Sequence, residues 1–162
     1  MTVLSIVAYQ QEFRQDLLEL SLRAWGAVFP KLQAEVPEFV YMSFYPEGWD
    51  RRQWDDIAQV LDNQRELIDV AVVDGRPVGW VCTRIHPRDK MGEIYILAVA
   101  PEYRGHGIAK ALMRQTYQRS KDAGMRMVMV ETGDDSGHEP ARVLYESDGF
   151  IRWPVARYFK EL

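Results

Sequence analysis

The densest concentration of chemistry in this 162-residue chain lies between Leu97 and Lys110. An apolar strand runs into a short loop, and Arg104-Gly105-His106-Gly107-Ile108-Ala109 then opens a helical pattern. Glycines let the backbone come close to a ligand. The first N–H groups of a helix have no partner within it and sit at the positive end of its dipole, which makes an anion site. Converging amides with Arg104 beside them could hold a pyrophosphate; a glycine turn that merely starts a helix is the plainer reading of the same residues. A P-loop needs G-x-x-x-x-G-K-[ST], and no such run exists. A dinucleotide fingerprint needs glycine or alanine where Lys110 stands and glycines directly after the strand, whereas Pro101–Arg104 intervene.

The elements that must position this loop follow from periodicity. Val3–Ala8 reads as a first strand. Residues 11–25 carry Phe13, Leu17, Leu20 and Ala24 on one stripe, which is helical spacing. Residues 29–49 hold Pro30, Pro37, Pro46 and Gly48, so a loop-rich stretch with one short helix is expected. Asp50 and Gln53 resemble a capping box before a helix that turns Trp54, Ile57, Ala58 and Leu61 inward. Leu67–Val73 and Val78–Ile85 flank Asp74-Gly75, a hairpin signal. Glu93–Ala100 is apolar on both faces, as a covered central strand would be. A helix over 107–122 ends near Gly124, and Met127–Glu131 is the next strand. A short helix over 139–148 stops at Gly149, and Phe150–Phe159 is expected to add one or two last strands. This order predicts an α/β fold: a mixed central sheet with helices on both faces.

Composition narrows the function classes. A hydrophobic fraction of 47% with 27% charged residues suits one folded globular domain spanning 1–162. Twenty basic against 24 acidic side chains give −4, opposite to the basic surplus that phosphate neutralisation requires of a duplex binder. No nucleic acid partner is expected. Apolar runs such as Leu67–Val73 are too short to cross about 30 Å of hydrocarbon. The first nine residues lack a positive n-region and a small-residue cleavage site. Neither membrane association nor a signal peptide is therefore expected, and a cytoplasmic location is. The one cysteine, Cys82, forms no internal disulfide and in Trp80-Val81-Cys82 reads as a small buried hydrophobe.

Taken together, these residues resemble the GCN5-related N-acetyltransferases (GNAT). Arg104-Gly105-His106-Gly107-Ile108-Ala109 satisfies that family's [RQ]-x-x-G-x-[GA] signature, and Ile94–Pro101 is similar to its fourth strand. Ala141-Arg142-Val143-Leu144-Tyr145-Glu146 with Gly149-Phe150 resembles its late A-x-x-L-Y-E…G-F element. The likeness covers residues 68–152; the N-terminal 65 residues carry little of it. It implies a single N-acetyltransferase domain with splayed central strands, here 93–100 and 126–131, that admit acetyl-CoA as co-substrate, with no metal. A bulge around Leu97, Ala98 and Val99 would offer backbone groups to the pantetheine arm and the thioester. The amides of Gly105, His106, Gly107, Ile108, Ala109 and Lys110, with Arg104, would cradle the pyrophosphate. Tyr145 matches the tyrosine that can protonate the leaving thiolate. One departure stands out: His138 occupies the place where the family often has asparagine.

The implied reaction is direct attack of a bound amine on the thioester. An amine with a pKa near 10.4 pays about 4.6 kcal/mol at pH 7 to lose its proton, which a positioned base offsets. Glu93, which opens the central strand, Glu131, at the end of its neighbour, and His138, with a suitable range for proton transfer, are the candidate bases. Structural duty is open for each. Asp134 and Asp135 in the loop after Glu131 could bind a cationic amine. In relatives the loop between the first helices walls the acceptor pocket, which would engage Phe29, Phe39, Tyr41, Phe44, Tyr45 and Trp49. The leading expectation is an N-acetyltransferase for a small-molecule amine; peptide or protein acetylation and a silent acyl-CoA sensor are the alternatives. A homodimer through late strands such as 150–160 is compatible with the resemblance.

Overall fold

The computed structural model describes residues 3–162. Five strands form one sheet in the order β1-β2-β3-β4-β5: β1 Leu4–Ala8, β2 Ile68–Val73, β3 Arg76–His86, β4 Met91–Val99 and β5 Met127–Val130. The first four are antiparallel neighbours, and β5 runs parallel to β4. Six helices accompany them: α1 Arg14–Trp25, α2 Phe29–Glu35, α3 Glu38–Phe44, α4 Trp49–Asn63, α5 Ile108–Asp122 and α6 Glu139–Ser147. The chain divides into two compact units, the first made of residues up to Ala24 with Gln53–Glu131, the second of Trp25–Arg52 with Thr132–Leu162.

In the first unit, helices cover both faces of the sheet. The Trp80 side of β3 meets α1: its indole N–H donates to Ser21 Oγ at 2.8 Å, and Ser21 in turn donates to the Leu17 carbonyl. A buried indole needs such a partner, and Trp80, Leu17, Leu18, Ile57 and Leu61 are all sealed from solvent around it. The opposite face carries α5. Thr83 and Thr116 share a 2.7 Å hydroxyl hydrogen bond between β3 and α5, and Arg119 grips the Asp69 carboxylate of β2 with two donors at 2.6 and 3.1 Å. Asp74 and Gly75 both take positive φ, 49° and 80°, the twist that a two-residue hairpin demands.

The parallel pairing is short. β4 and β5 are in register from Met91↔Met127 to Ile94↔Val130, and β4 then continues to Val99 without β5. On its other edge β4 bulges: Cys82 faces Ile96 but Thr83 faces Ile94, leaving Tyr95 as the extra residue. The bulge thus lies two residues before the expected Leu97–Val99, where a residue that has lost β5 bends the strand. Tyr95 is also 41% exposed, so β4 is not covered on both faces along its whole length.

In the second unit, residues 29–49 form two short helices instead of one. Their prolines sit at helix starts, Pro30 in the first turn of α2 and Pro37 at the N-cap of α3, where a missing N–H is no loss. Phe29 stacks on Trp49 at 4.6 Å and meets Tyr45 edge-on at 5.3 Å, while Tyr41 packs on Tyr45. The aromatic set expected at an acceptor pocket is largely a packed cluster. The strands expected over Phe150–Phe159 do not form. Among the described residues the sheet ends at β5, and residues 151–162 are exposed. Pro154 removes one ladder donor from the middle of that segment, and Ile151, Trp153 and Val155 are each more than four-fifths exposed.

Gly92 gives the α5 packing its test. A Cβ there would fall 1.9 Å from Ser120 Oγ and 2.8 Å from Ser120 Cβ, so helix and strand must part. Gly92→Ala should destabilise the protein by about 1–3 kcal/mol in urea unfolding; an unchanged midpoint would show that α5 is not seated on β4 as described.

Candidate functional site

Two features of the first unit adjoin each other in sequence: the stretch of β4 beyond its β5 pairing, and the loop that follows it into α5. Leu97 and Val99 are half-buried and Ala98 is buried on this stretch. After Ala100, a 3-10 turn over Pro101–Tyr103 leads to Gly105 and Gly107, which take φ of 78° and 76°. Nothing lies within 4 Å of where a Cβ on either would stand. Glycine is there for the left-handed backbone and leaves open space above it. Gly107 caps α5 without any side-chain hydrogen bond, and the first helical bond is Ala111 N–H to the Gly107 carbonyl, 3.0 Å. The amides of Ile108, Ala109 and Lys110 therefore precede any intrahelical partner, at the positive end of a 15-residue helix. His106 Nδ1 folds back on the Arg104 carbonyl at 2.9 Å, tightening the loop, while the Arg104 guanidinium donates to the Ala24 carbonyl at 3.1 Å. These residues fit a phosphate-bearing ligand through the backbone, with Arg104 held at the margin.

Glu93 lies one residue before the last β4–β5 pair. Its carboxylate is 2.6 Å from His86 Nε2, with side-chain exposures of 15% and 39%. Residue 86 is the last of β3, so the hairpin that builds the sheet also delivers this imidazole. His86 lies one residue beyond the strand expected over Val78–Ile85, and its spacing across the hairpin from Glu93 is the signal that joins the two. Arg84 faces Glu93 directly in the register. Glu131, just past β5, is exposed.

The second unit holds the other candidates. Tyr145 on α6 is buried, edge-on to Phe150 at 5.7 Å, and desolvation pushes its phenol up to about 12. His138 precedes α6, its Nδ1 2.6 Å from Asp135 Oδ1. The loop is clamped further by Arg142, which donates to the carbonyls of Gly133 and Asp135 at 2.7 Å. Ser136 N–H meets the Glu35 carboxylate. Asp134 pairs with Arg152, whose hydrogen bond holds that carboxyl below its usual range. Both aspartates expected to await a cationic amine thus have a partner, while Asp135 Oδ2 is buried without one. Two glycines make the fold of this loop feasible: a Cβ on Gly133 would stand 2.2 Å from Asp135 Oδ1, and one on Gly137 2.7 Å from the Val28 carbonyl.

A parallel strand pair whose ladder ends at Ile94↔Val130, followed in sequence by a glycine-lined helix N-terminus, defines an α/β protein with unpartnered amides after its central strand. The chain belongs to the acetyltransferase (GNAT) family, whose model matches residues 32–150. A mycothiol acetyltransferase of Pseudarthrobacter chlorophenolicus is 40% identical over 85 residues, covering 50% of this chain and 26% of that protein. This chain spans no more than about half the length of such relatives: in Kocuria rhizophila the matched mycothiol acetyltransferase is covered to 55%. Among solved structures, the PaiA N-acetyltransferase of Thermoplasma acidophilum in complex with coenzyme A superposes with a TM-score of 0.68 at 18% identity, covering 92% of this chain and 90% of that one. No described helix is long and apolar enough to cross a membrane, and no group of His, Cys, Asp or Glu among the described residues could hold a metal ion.

Cys82 is fully buried in β3, and desolvation raises its thiol to about 12. A thiol is nucleophilic as thiolate, so this one is inert at neutral pH. Iodoacetamide at pH 7.5 should label Cys82 only after denaturation; labelling of the folded protein at the rate of a free thiol would contradict its burial.

Proposed function

We propose that the chain transfers the acetyl group of acetyl-CoA to the primary amine of a small molecule, by direct attack within a ternary complex. The observation that carries this reading is the union, in one unit, of the β4–β5 separation after Ile94↔Val130 with the open N-terminus of α5. The amides of Gly105, His106, Gly107, Ile108, Ala109 and Lys110 take the pyrophosphate, with Arg104 beside them. Leu97, Ala98 and Val99 offer the backbone that β5 no longer uses to the pantetheine arm and thioester carbonyl. Relatives named for mycothiol, and the aminoglycoside acetyltransferases among the solved neighbours, support a small-molecule acceptor over a protein one.

Glu93 is the base in this reading. It is the half-buried carboxylate nearest the strand separation, and His86 holds one of its oxygens. Glu131 is more exposed, and His138 has one ring nitrogen engaged by Asp135; both take supporting places. The ammonium gives one proton to Glu93 and the freed amine attacks the carbonyl carbon; the C–N bond forms as the C–S bond breaks, and the second proton of the nitrogen passes to solvent. Tyr145 serves the departing sulfur. With its phenol near 12 and an ordinary alkyl thiol near 8.5, full proton transfer would cost about 5 kcal/mol at 1.36 kcal/mol per unit. Tyr145 is therefore a hydrogen-bond donor to the thiolate, and solvent supplies the final proton.

The direct test is thiol release from acetyl-CoA with and without amines. Amine-dependent release is expected; binding of acetyl-CoA with no release across a broad panel would favour an acyl-CoA sensor. Gly107→Val forces a β-branched residue into left-handed backbone and should weaken acetyl-CoA binding at least tenfold by calorimetry; unchanged affinity would remove the cradle. Tyr145→Phe should lower kcat by about 10–100-fold, the value of a hydrogen bond to a charged group, with acetyl-CoA affinity kept. Because the raised phenol stays protonated until pH approaches 12, the wild-type kcat should show no falling limb from Tyr145 below pH 10. A limb that disappears in Tyr145→Phe would restore it as a proton donor.

A further inference from the structure

Over Arg84 of β3 and Tyr95 of β4 lies a cavity of about 220 Å³ in the first unit, walled by Asp56, Gln59, Asn63 and Gln64 from α4 and the residue after it. Val60 is the one aliphatic side chain in its lining. Its floor is fixed. The Arg84 guanidinium lies over the Tyr95 ring, 3.2 Å from the centroid, and its Nε donates to Gln64 Oε1 at 2.9 Å. Tyr95 is the residue that bulges from β4 at the point where β5 departs, and Arg84 is the cross-strand partner of Glu93. Directly paired residues of antiparallel strands project from the same face. The cavity and the Glu93 carboxylate therefore share one face of the sheet, the face that α4 covers.

The lining selects a chemistry. Side-chain amides both donate and accept hydrogen bonds, as hydroxyl groups do, and three of them line this space with a guanidinium and a carboxylate. An apolar amine of equal size would strip water from these groups and return no hydrogen bonds. The volume is below the 300–1,000 Å³ usual for sites of drug-sized ligands, so the occupant is compact. Resting on the acetyltransferase reading above, we propose that this cavity receives the body of the acceptor, and that the acceptor is a compact, hydroxyl-rich primary amine whose nitrogen is presented to Glu93. Gln59 and Asn63 are exposed on α4 and act as specificity residues without touching the reacting atoms.

The experiment compares glucosamine with phenethylamine, of similar size but without hydroxyls, as acceptors in thiol release from acetyl-CoA, using the wild type, Gln59→Leu and Asn63→Leu. Glucosamine should be used at least tenfold more efficiently in kcat/KM. Each variant should raise the KM for glucosamine about 5–10-fold, with the KM for acetyl-CoA and the melting temperature unchanged. Equal or better use of phenethylamine by the wild type, or an unchanged glucosamine KM in both variants, would overturn the proposal while leaving the transferase intact. Absence of release with any amine would instead count against the transferase reading. Calorimetry with glucosamine alone then decides the cavity: binding by the wild type that Asn63→Leu weakens supports it, and no binding overturns it.

Discussion

β4 keeps its parallel neighbour for four residue pairs and then goes on alone. Backbone N–H and C=O groups inside a protein need partners, so a strand that loses one in mid-sheet must find another donor and acceptor or face water. Here the loss coincides with the Tyr95 bulge on the opposite edge, which re-aims the strand where the ladder ends. Because α5 must cross from β4 to β5, its first turn falls beside the end of the lone segment, and the Gly105–Gly107 loop is the hinge that turns the chain into it. The open first turn of α5, the unpaired end of β4 and the Arg84–Tyr95 contact all follow one interruption in the sheet.

That interruption is tolerable because the rest of the first unit is tightly tied. α5 is pinned to β3 through Thr83–Thr116, to β2 through Arg119–Asp69, and to β4 by the close approach at Gly92. On the other face, the indole of Trp80 anchors α1, and Arg14 ties α1 to α4 through Asp62 at 2.8 Å. A rigid frame on both sides holds β4 in place where β5 does not. The same frame sets the His86–Glu93 pair, which closes the hairpin just before the bulge and holds the carboxylate half-buried.

Much of this is legible in the sequence. Sequence pattern places α1, α4, α5 and α6 and strands β1 to β5 to within a few residues: α1, α4 and α5 bury a periodic face, and turn residues such as Asp74-Gly75 and Gly149 mark the ends of others. The [RQ]-x-x-G-x-[GA] loop was readable because only glycine meets its backbone demand. Three things were not. The two helices within 29–49 were hidden by prolines that act as helix starts. The bulge at Tyr95 depends on register between strands, which one strand's pattern does not contain. The last segment alternates Ile151, Trp153 and Val155 like a strand, yet nothing in a local pattern says whether an edge is available to pair with it. The Asp134–Arg152 pair is likewise a contact that only the fold creates, whereas Asp135–His138 and His86–Glu93 are close enough in sequence to be read from their spacing.

The central claim is that the parted strand and the helix N-terminus together form one binding surface for the CoA moiety. Amide hydrogen exchange, followed residue by residue with and without coenzyme A, tests it most directly. Slower exchange confined to Leu97–Val99 and Gly105–Lys110 of the first unit is the predicted result. Protection that spares the α5 N-terminus, or coenzyme A binding with no change along β4 beyond Ile94, would contradict the account.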